Sequence, residues 1–395
     1  MPSQRQLFFE YLGLPSSRPL SLEITSADGI YLYGPDGKDY IDLVSGVAVS
    51  NLGHQHPEII RAVKEQADRY MHLMVYGEFI QSPQVQLAQA LANILPPELH
   101  STFFVTSGSE AVEGAMKLAK RFTGRTEVMA FRNAYHGGTQ GALSIAGNED
   151  LKNSFRPLLP DISFLEFNKF EDLSRISEKT ACVIAETIQA EAGIIMPVDG
   201  FLEALRVRCS KTGTLLVIDD IQMGMGRTGK MFSFEHFGFV PDVLCLAKAF
   251  GGGMPLGAFI SSKEIMSSLT HDPELGHITT FGGHPLSCAA ALASLNYLIS
   301  KKIYETAENK AGIFIEKLSN HPLIKEIRYK GLMLAIEMNS AEQVRKLIPL
   351  FIENGLVADS FLFRPQAFRI APPLVITKEE IHLACDRVLK SLDKL

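Results

Sequence analysis

The sequence has few cysteines, no long apolar run and no block of charge of one sign. Its five cysteines stand far apart and form no C-x-x-C pair, so we predict reduced core residues in a cytoplasmic protein and no metal site. No stretch of about 18 apolar residues occurs, and the N-terminal residues lack the basic flank and apolar core of a secretory signal. We therefore expect no membrane segment.

The charge distribution argues against a nucleic acid or membrane partner. Charged residues make up 21% of the chain, and the net charge of -6 is spread along it. A nucleic acid or an anionic membrane would require a cluster of like charge. We therefore expect chemistry on a small molecule, and the length of 395 residues predicts two structural domains.

Short apolar runs alternate with helical patterns from about residue 100 to 290. This alternation is typical of α/β units around a mostly parallel sheet, and such sheets bind ligands beyond the carboxyl ends of their strands. Helical spacing occurs over 110–122 and 201–213. The strand candidates are FFVT (103–106), VMAF (128–131), CVIAE (182–186), LLVID (215–219), VLCLA (243–247) and GAFIS (257–261).

The two ends of the chain have a different pattern. Residues 33–43, YGPDGKDYIDL, predict a hairpin, and GLMLAIEM at 331–338 predicts a strand after a long helix. We therefore predict a large α/β domain over 49–290. Residues 1–48 and 291–395 together would form a smaller α+β domain.

The first chemical motif is TSGSEAVEGAMKLAK at 106–120, where a strand ends in Ser-Gly-Ser and a helix begins at once. The free amides of a helix start, with Gly108 and the Ser109 hydroxyl, would bind a phosphate. The alternative is an ordinary helix capped by Ser109.

The second motif is LLVIDDIQMGMGRTG at 215–229, which places Asp219 at the end of an apolar strand. A carboxylate there could hold a protonated ring nitrogen, although an aspartate that caps a turn would give the same pattern. The glycines at 224–229 match the G-x-G-x-x-G fingerprint of dinucleotide sites, but no helix pattern follows them. We predict a loop there.

The third motif is VLCLAKAFGGGMPLGAFIS at 243–261, in which Lys248 is the one charge. Burial of this lysine favours loss of its charge, and a desolvated amine reacts with aldehydes. The alternative is a lysine that extends from a strand end to solvent. The three motifs occur in one order along the chain: a phosphate site, an aspartate at a strand end, and a lysine 29 residues after that aspartate. Their joint occurrence favours the chemical interpretation of all three.

With these motifs, and with NAYHG, ETIQAEAG, TTFGGHPLSCAAA and RIAPPL, the chain resembles the class III aminotransferases. This family includes the acetylornithine, ornithine and 4-aminobutyrate aminotransferases, and the resemblance runs from about residue 30 to 377. It implies the type I fold of pyridoxal-phosphate-dependent transferases, an α/β fold, with pyridoxal 5'-phosphate as cofactor. It also implies a homodimer with shared active sites.

The resemblance assigns a role to each site residue. It implies that Lys248 forms the imine with the cofactor and carries the proton, that Asp219 pairs with the ring nitrogen and that Tyr135 stacks on the ring. Gln222 would approach the ring hydroxyl, and Thr280 would reach the phosphate from a second subunit. The implied cofactor-binding residues are Ser107, Gly108, Ser109, Tyr135, His136, Glu186, Asp219, Gln222, Lys248 and Thr280.

The resemblance also implies two kinds of substrate. Arg369 matches the arginine that binds the α-carboxylate of a keto acid, and Glu191 matches the glutamate that pairs with it when the substrate is an ω-amine. A plain ion pair near the surface is the alternative. The implied reaction is a ping-pong transfer from an ω-amino donor, like acetylornithine, ornithine or 4-aminobutyrate, to a keto acid, with 2-oxoglutarate expected.

Some positions depart from the family pattern. Gly138 stands where many relatives have an arginine for a distal carboxylate, and Arg132 and Arg364 are candidates to replace it. Val47 matches the aliphatic residue of the acetylornithine and aminobutyrate types. The other departures are Thr187, Asp220 and His284. Two alternatives stay open: an aminomutase of the glutamate-semialdehyde type, and a non-enzymatic binding protein on the same fold.

Overall fold

The computed structural model describes residues 3–395, which form three β-sheets and the helices around them. No helix of the described part of the chain is long and apolar enough to cross a bilayer. The strands are β1 (Ser26–Asp28), β2 (Tyr31–Tyr33), β3 (Asp39–Asp42), β4 (Ser101–Val105), β5 (Glu127–Phe131), β6 (Ile162–Leu165), β7 (Thr180–Ala185), β8 (Leu215–Asp219), β9 (Val243–Leu246), β10 (Gly257–Ser261), β11 (Ile324–Tyr329), β12 (Leu334–Met338), β13 (Leu356–Val357) and β14 (Ala367–Ile370).

The helices alternate with the strands in the middle of the chain. They are α1 (Gln4–Tyr11), α2 (Ser45–Ala48), α3 (Pro57–Arg69), α4 (Ser82–Ile94), α5 (Gly108–Thr123), α6 (Gln140–Ser144), α7 (Phe201–Thr212), α8 (Lys263–Ser267), α9 (Pro285–Lys301), α10 (Ala307–Leu318), α11 (Ala341–Glu353) and α12 (Lys378–Leu392).

The largest sheet has seven strands in the order β4-β10-β9-β8-β7-β5-β6. Strand β10 is antiparallel to both of its neighbours, and the pairs from β9 to β6 are parallel. The six strand candidates of the sequence all lie in this sheet, so the prediction of an α/β fold with a mostly parallel sheet is confirmed. Strand β6 was not predicted, because ISFL is short and interrupted by Ser163.

The central strands are apolar because both faces of the sheet are covered. Strands β7, β8, β9 and β10 are buried along their whole length. Residues of helix α5 pack with strand residues in one hydrophobic cluster. Residues of α7 and α9 pack with other strand residues in a second, larger cluster. Each fully buried aliphatic side chain contributes about 1.5–3 kcal/mol, so this sheet is a rigid support for the residues at its edge.

Two smaller sheets join distant parts of the chain. Strands β2 and β3 form the predicted hairpin, and β13 pairs with β3 in parallel, so both chain ends share a sheet. Strands β11, β12 and β14 form an antiparallel sheet, in which β12 lies within the predicted strand at 331–338. The domain bounds at 48 and 290 stay a prediction.

The segment α2 is a left-handed turn, with positive φ at all four residues: Ser45 53°, Gly46 62°, Val47 64° and Ala48 60°. Such a conformation costs about 1–2 kcal/mol for each residue other than glycine. Asp42 offsets part of this cost, because its Oδ1 accepts hydrogen bonds from the amides of Val44 (2.9 Å) and Ser45 (2.8 Å). The turn directs the chain toward the cavity described below.

The contact between α5 and β10 provides a test of this packing. A Cβ on Gly114 would lie 2.2 Å from Phe259 Cε1, so we expect Gly114→Ala to lower the free energy of unfolding by about 1–3 kcal/mol. The matched control is Gly312→Ala in α10, where no heavy atom lies within 4 Å of the added Cβ. Chemical unfolding measures both variants. Equal stability of Gly114→Ala and wild type would contradict the packing described.

Candidate active site

A cavity of about 400 Å³ lies at the carboxyl ends of β7, β8 and β9. Its size falls within the range of small-molecule sites. The sequence-predicted residues that line it are Ser107, Gly108, Ser109, Tyr135, His136, Glu186, Glu191, Asp219, Gln222 and Lys248. Residues between 107 and 248 therefore meet in one place, as expected of an edge where parallel strands end. Sequence reasoning had not pointed to the apolar lining residues Val49, Ile221, Met223, Met254 and Leu256.

The start of α5 forms one end of the cavity. Ser107 caps this helix, because its Oγ accepts a hydrogen bond from the Glu110 amide at 3.2 Å; the alternative with Ser109 as the cap was therefore wrong. Glu110 turns back and accepts a hydrogen bond from the Thr106 amide at 2.7 Å. The amides of Gly108 and Ser109 stand in the first helical turn, where no intrahelical acceptor exists. They can bind an anion.

Two glycines allow the chain to pack closely at this end of the cavity, where a larger residue would not fit. A Cβ on Gly108 would lie 3.0 Å from Ile221 Cδ1, and a Cβ on Gly137, whose φ is +133°, would lie 2.2 Å from Ser109 Oγ. Ser109 Oγ also accepts a hydrogen bond from the Gly138 amide at 3.2 Å. The loop at 137–138 therefore lies directly against the predicted phosphate position.

Asp219 ends β8 and is held by His136. The Nδ1 atom of His136 lies 2.6 Å from Asp219 Oδ2, and Asp219 Oδ1 accepts a hydrogen bond from the Ile221 amide at 3.1 Å. Burial alone would lower the pKa of His136, but the hydrogen bond and the negative charge of Asp219 outweigh it, and the pKa is raised. His136 thus places a hydrogen-bond partner, and a positive charge when it is protonated, directly against the buried carboxyl group of Asp219.

Glu186 stands at the end of β7 beside this pair. Its Oε1 accepts a hydrogen bond from the Ala190 amide at 3.1 Å, whereas its Oε2 is buried without a partner among residues 3–395. Burial, reinforced by the charges of Asp219 and Glu191, raises the pKa of Glu186 to about 8. The neutral acid is therefore the favoured form at neutral pH.

Lys248 follows β9 and lines the same cavity. Its backbone is left-handed, with φ +52°, a strained conformation for a residue with a side chain. Burial lowers the pKa of Lys248 to about 8, with Arg369 acting in the same direction and three carboxylates against it. A substantial fraction of the amine is therefore neutral near pH 8, and the neutral amine is the nucleophilic form.

A buried ion pair lies at the part of the cavity wall that Glu191 forms. Arg369 Nη2 donates to Glu191 Oε1 at 2.9 Å and to Glu191 Oε2 at 3.1 Å, and Gln222 Nε2 donates to Glu191 Oε1 at 3.1 Å. Arg369 itself does not line the cavity, because Glu191 lies in front of it. The pair is buried, so the alternative of a surface ion pair was wrong.

Two of the departures from the family pattern contact each other through Ser233. Its hydroxyl is hydrogen-bonded to Asp220 Oδ1 and to the Thr187 hydroxyl, and its amide donates to Asp220 Oδ2 at 2.9 Å. Thr187 follows Glu186 and Asp220 follows Asp219. This buried chain of hydrogen bonds therefore joins the ends of β7 and β8 at the residues that follow Glu186 and Asp219.

The remaining predicted residues lie outside the cavity lining. Val47 belongs to the left-handed turn, and Val49 reaches the cavity in its place. Thr280 is exposed. Arg132 lies over the ring of Phe164, and Arg364 pairs with Glu337 at 2.7 Å, so both arginines considered as replacements at position 138 are engaged elsewhere.

These residues fit pyridoxal phosphate. The first turn of α5 and the Ser109 hydroxyl offer donors to a phosphate. Asp219 presents a carboxylate suited to a protonated ring nitrogen. Lys248 supplies a primary amine on another wall of the same cavity, as an aldehyde requires.

Comparison with known proteins agrees with this chemistry. A model of the family described as Aminotransferase class-III matches residues 14–392. The chain is 37% identical over 393 residues to an acetylornithine aminotransferase of Methanopyrus kandleri, with 98% of each chain covered. It is 38% identical over 376 residues to a putrescine aminotransferase of Pectobacterium atrosepticum. That alignment covers 91% of this chain and 79% of the putrescine aminotransferase.

A solved structure is similar over nearly the whole chain. The ornithine aminotransferase of Toxoplasma gondii superposes with a TM-score of 0.91 at 28% identity, covering 98% of this chain and 93% of that one. That structure has pyridoxal phosphate at partial occupancy in its active site.

The raised pKa of Glu186 predicts a pH-dependent stability of the protein without its cofactor. The pKa of Glu186 is about 8 in the folded protein and has the ordinary value of 4.5 when the chain is unfolded. Between pH 4.5 and pH 8 the folded protein therefore keeps a proton that the unfolded chain releases. Unfolding free energy should therefore fall by up to about 1.4 kcal/mol per pH unit as pH rises from 4.5 to 8. Glu186→Gln should flatten this slope, as measured by urea unfolding across that range.

The control for this experiment is Glu178→Gln, which removes an exposed glutamate just before β7. It should keep the slope of the wild type. If Glu186→Gln and wild type had parallel pH profiles, Glu186 would not be the buried neutral acid described.

Proposed function

The chain belongs to the class-III aminotransferases and is a pyridoxal-phosphate-dependent transaminase, and from this we propose that it transfers an amino group from an ω-amine to a keto acid by a ping-pong mechanism. The observation that carries the proposal is the buried Glu191–Arg369 pair at the wall of the cavity that also contains Lys248. We take 2-oxoglutarate as the acceptor.

The residues that would hold the cofactor are those described above. When bound, pyridoxal phosphate supplies an aldehyde that combines with primary amines and a cationic ring that withdraws electrons from the carbon beside the nitrogen. Asp219, hydrogen-bonded to His136, would face the ring nitrogen. Ser107, Gly108 and Ser109 would bind the phosphate, and Tyr135 and Gln222 would orient the ring.

Lys248 is the proton carrier. Its Nζ holds a proton after removing it from the donor carbon and returns it to another carbon, which a pKa near neutrality favours. Burial lowers the pKa of Lys248 to about 8, so the amine can accept and release a proton at the pH where the enzyme would work. The apolar lining, including Val49, Ile221 and Leu256, limits the access of water.

Glu191 and Arg369 allow one cavity to accept two kinds of substrate. An ω-amine carries no carboxylate at its reacting end, so Glu191 can stay on Arg369 and neutralise it. A keto acid carries an α-carboxylate, which would take the guanidinium in place of Glu191 through a bidentate contact. The exchange replaces one carboxylate with another at the guanidinium, so the buried cation of Arg369 keeps a partner in both half-reactions.

The preferred donor follows from what the distal part of the cavity lacks. Gly138 provides no side chain, and Arg132 and Arg364 are engaged elsewhere. Within the described chain, the free cationic group of the lining is Lys248. The lack of a cation for a distal carboxylate favours a diamine, and one relative is a putrescine aminotransferase. We keep donors of the acetylornithine, ornithine and aminobutyrate type in the proposal, because other relatives are acetylornithine aminotransferases.

The two other hypotheses are weaker than transamination. An aminomutase is not favoured, because the matching relatives are aminotransferases. A binding protein without activity disagrees with the family membership. The cytoplasmic location stays a prediction, and it is supported by five free, buried cysteines.

We extend the proposal to a homodimer with shared active sites, on the basis of an exposed apolar patch. His72 and Phe281 lie in contact, with ring centroids 5.0 Å apart, so two segments of the chain form one surface around Thr280. Exposed apolar surface of this kind marks interaction sites. We define the patch by Met71, Leu73, Met74, Phe79, Ile80, Leu275, Ile278 and Phe281.

A donor screen tests the proposed reaction. Acetylornithine, ornithine, 4-aminobutyrate, lysine and putrescine are each mixed with the cofactor-loaded enzyme, first without and then with 2-oxoglutarate. We expect one stoichiometric half-reaction without acceptor and continuous turnover with it. Lys248→Ala should lose turnover by about a hundredfold or more, because it removes the acid–base group, and should also lose the visible absorbance of the lysine-bound cofactor.

The control is Lys263→Ala, an exposed lysine at the start of α8, which should keep full activity. Continuous turnover without any keto acid would indicate an aminomutase and contradict the proposal, and so would near wild-type activity of Lys248→Ala.

A charge in the apolar patch tests the dimer. Ile80 is 97% exposed in the isolated chain, and Ile80→Asp should give a monomer in light scattering after size exclusion, because an aspartate would be buried without a partner. Cofactor affinity should fall as well, since Thr280 could no longer reach a neighbour. Val207→Asp, at an exposed apolar position of α7, is the control. A wild-type chain that is monomeric would contradict the proposal.

A further inference from the structure

Arg369 has a second carboxylate beside it in addition to Glu191. Asp359 Oδ1 lies 3.3 Å from Arg369 Nε, on the side of the guanidinium away from Glu191's contacts with Nη2. Both of these atoms are buried, and neither has a hydrogen bond of good geometry within residues 3–395. The cation therefore lies between two acids.

Asp359 belongs to the segment 359–364, which holds both partners of the ion pair. The Leu362 amide donates to Glu191 Oε2 at 3.0 Å, and the Phe363 amide donates to the Glu191 carbonyl at 3.0 Å. The ring of Phe361 lies against the guanidinium, 4.6 Å from Arg369 Cζ. One short segment thus fixes the surroundings of the guanidinium on three sides.

The two acids differ in their freedom to leave. The carboxylate of Glu191 lines the cavity, where a substrate carboxylate could take its place on Arg369, whereas Asp359 is not part of the lining. Asp359 is attached by its backbone, because its carbonyl accepts a hydrogen bond from the Arg369 amide at 2.8 Å and Ser360 forms a bridge with Phe368. When a substrate carboxylate displaces Glu191, Asp359 stays beside the arginine.

We infer that Asp359 is a specificity-determining residue that weakens the binding of substrate carboxylates to Arg369 and so shifts the enzyme toward amine and aldehyde substrates; this rests on the proposed function. Its negative charge remains beside the guanidinium in both half-reactions. A substrate carboxylate therefore meets a cation that is already partly neutralised, whereas a substrate without a carboxylate does not depend on this charge.

The charges around Asp359 agree with this role. Arg369 faces it from β14, Glu191 from the loop after β7 and Asp42 from the end of β3. Burial, with the charges of Glu191 and Asp42, raises the pKa of Asp359 to about 6 despite Arg369. The side chain is 37% exposed and is ionised at neutral pH and above, where it can oppose a second carboxylate.

The test compares Asp359→Asn with wild type for two acceptors, 2-oxoglutarate and the uncharged aldehyde butanal, using the cofactor-loaded enzyme. We expect the ratio of KM for 2-oxoglutarate to KM for butanal to fall by about threefold, the effect of one half-exposed charge. The dissociation constant of glutarate, an unreactive dicarboxylate, should fall similarly. It is measured by calorimetry and needs no turnover.

Two further variants separate charge from structure. Asp359→Glu keeps the charge and should keep the ratio of the wild type, and Asp386→Asn removes an exposed aspartate of α12 and should also keep it. An unchanged KM ratio and an unchanged glutarate affinity in Asp359→Asn would overturn the inference. A wild-type enzyme that transfers no amino group to either acceptor would instead refute the proposed function.

Discussion

The structure depends on the burial of several ionisable groups at one edge of a rigid sheet. Strands β7, β8 and β9 end side by side, which brings Glu186, Asp219 and Lys248 to a single cavity. These groups are largely removed from bulk water, so the charge of each one affects the charges of the others. The hydrogen bond and charge of Asp219 raise the pKa of His136, burial and acidic neighbours raise the pKa of Glu186 to about 8, and burial lowers the pKa of Lys248 to about 8.

The charges at Asp219 and the charges at Arg369 differ in how easily a substrate could change them. On the sheet side the charges are fixed, because Asp219 is bound to His136 and to the backbone. Elsewhere in the lining, Glu191 balances Arg369 through contacts that a second carboxylate could reproduce. A substrate can therefore change the charge distribution at Arg369 without disturbing the one at Asp219, which explains how one cavity could accept unlike substrates. In our inference, the charge of Asp359 limits how strongly Arg369 can bind a substrate carboxylate.

Sequence reasoning identified the central sheet and half of the residues that line the cavity, because both follow from local patterns. Continuous apolar runs indicate buried parallel strands, and the residues that follow them must share one edge. It failed where the partner is distant in the chain or the pattern is short. Strand β6 has only four residues, Ser107 and Ser109 are both plausible caps, and Asp359 meets Arg369 only through the fold of the segment between them.

Backbone strain near the cavity shows why the large sheet matters for function. The four residues of the left-handed turn at 45–48 and Lys248 all have positive φ, and strain of this kind persists only where the surrounding structure imposes it. Lys248 follows β9, which is buried and paired on both sides. The turn is held by Asp42 and by the bond from Ser45 Oγ to the Ala371 carbonyl at 2.8 Å. Because Ala371 follows Ile370, the last residue of β14, this bond also ties the turn to the strand that carries Arg369. The rigid core thus fixes the position of Lys248, and the strained turn is tied to the strand that carries Arg369.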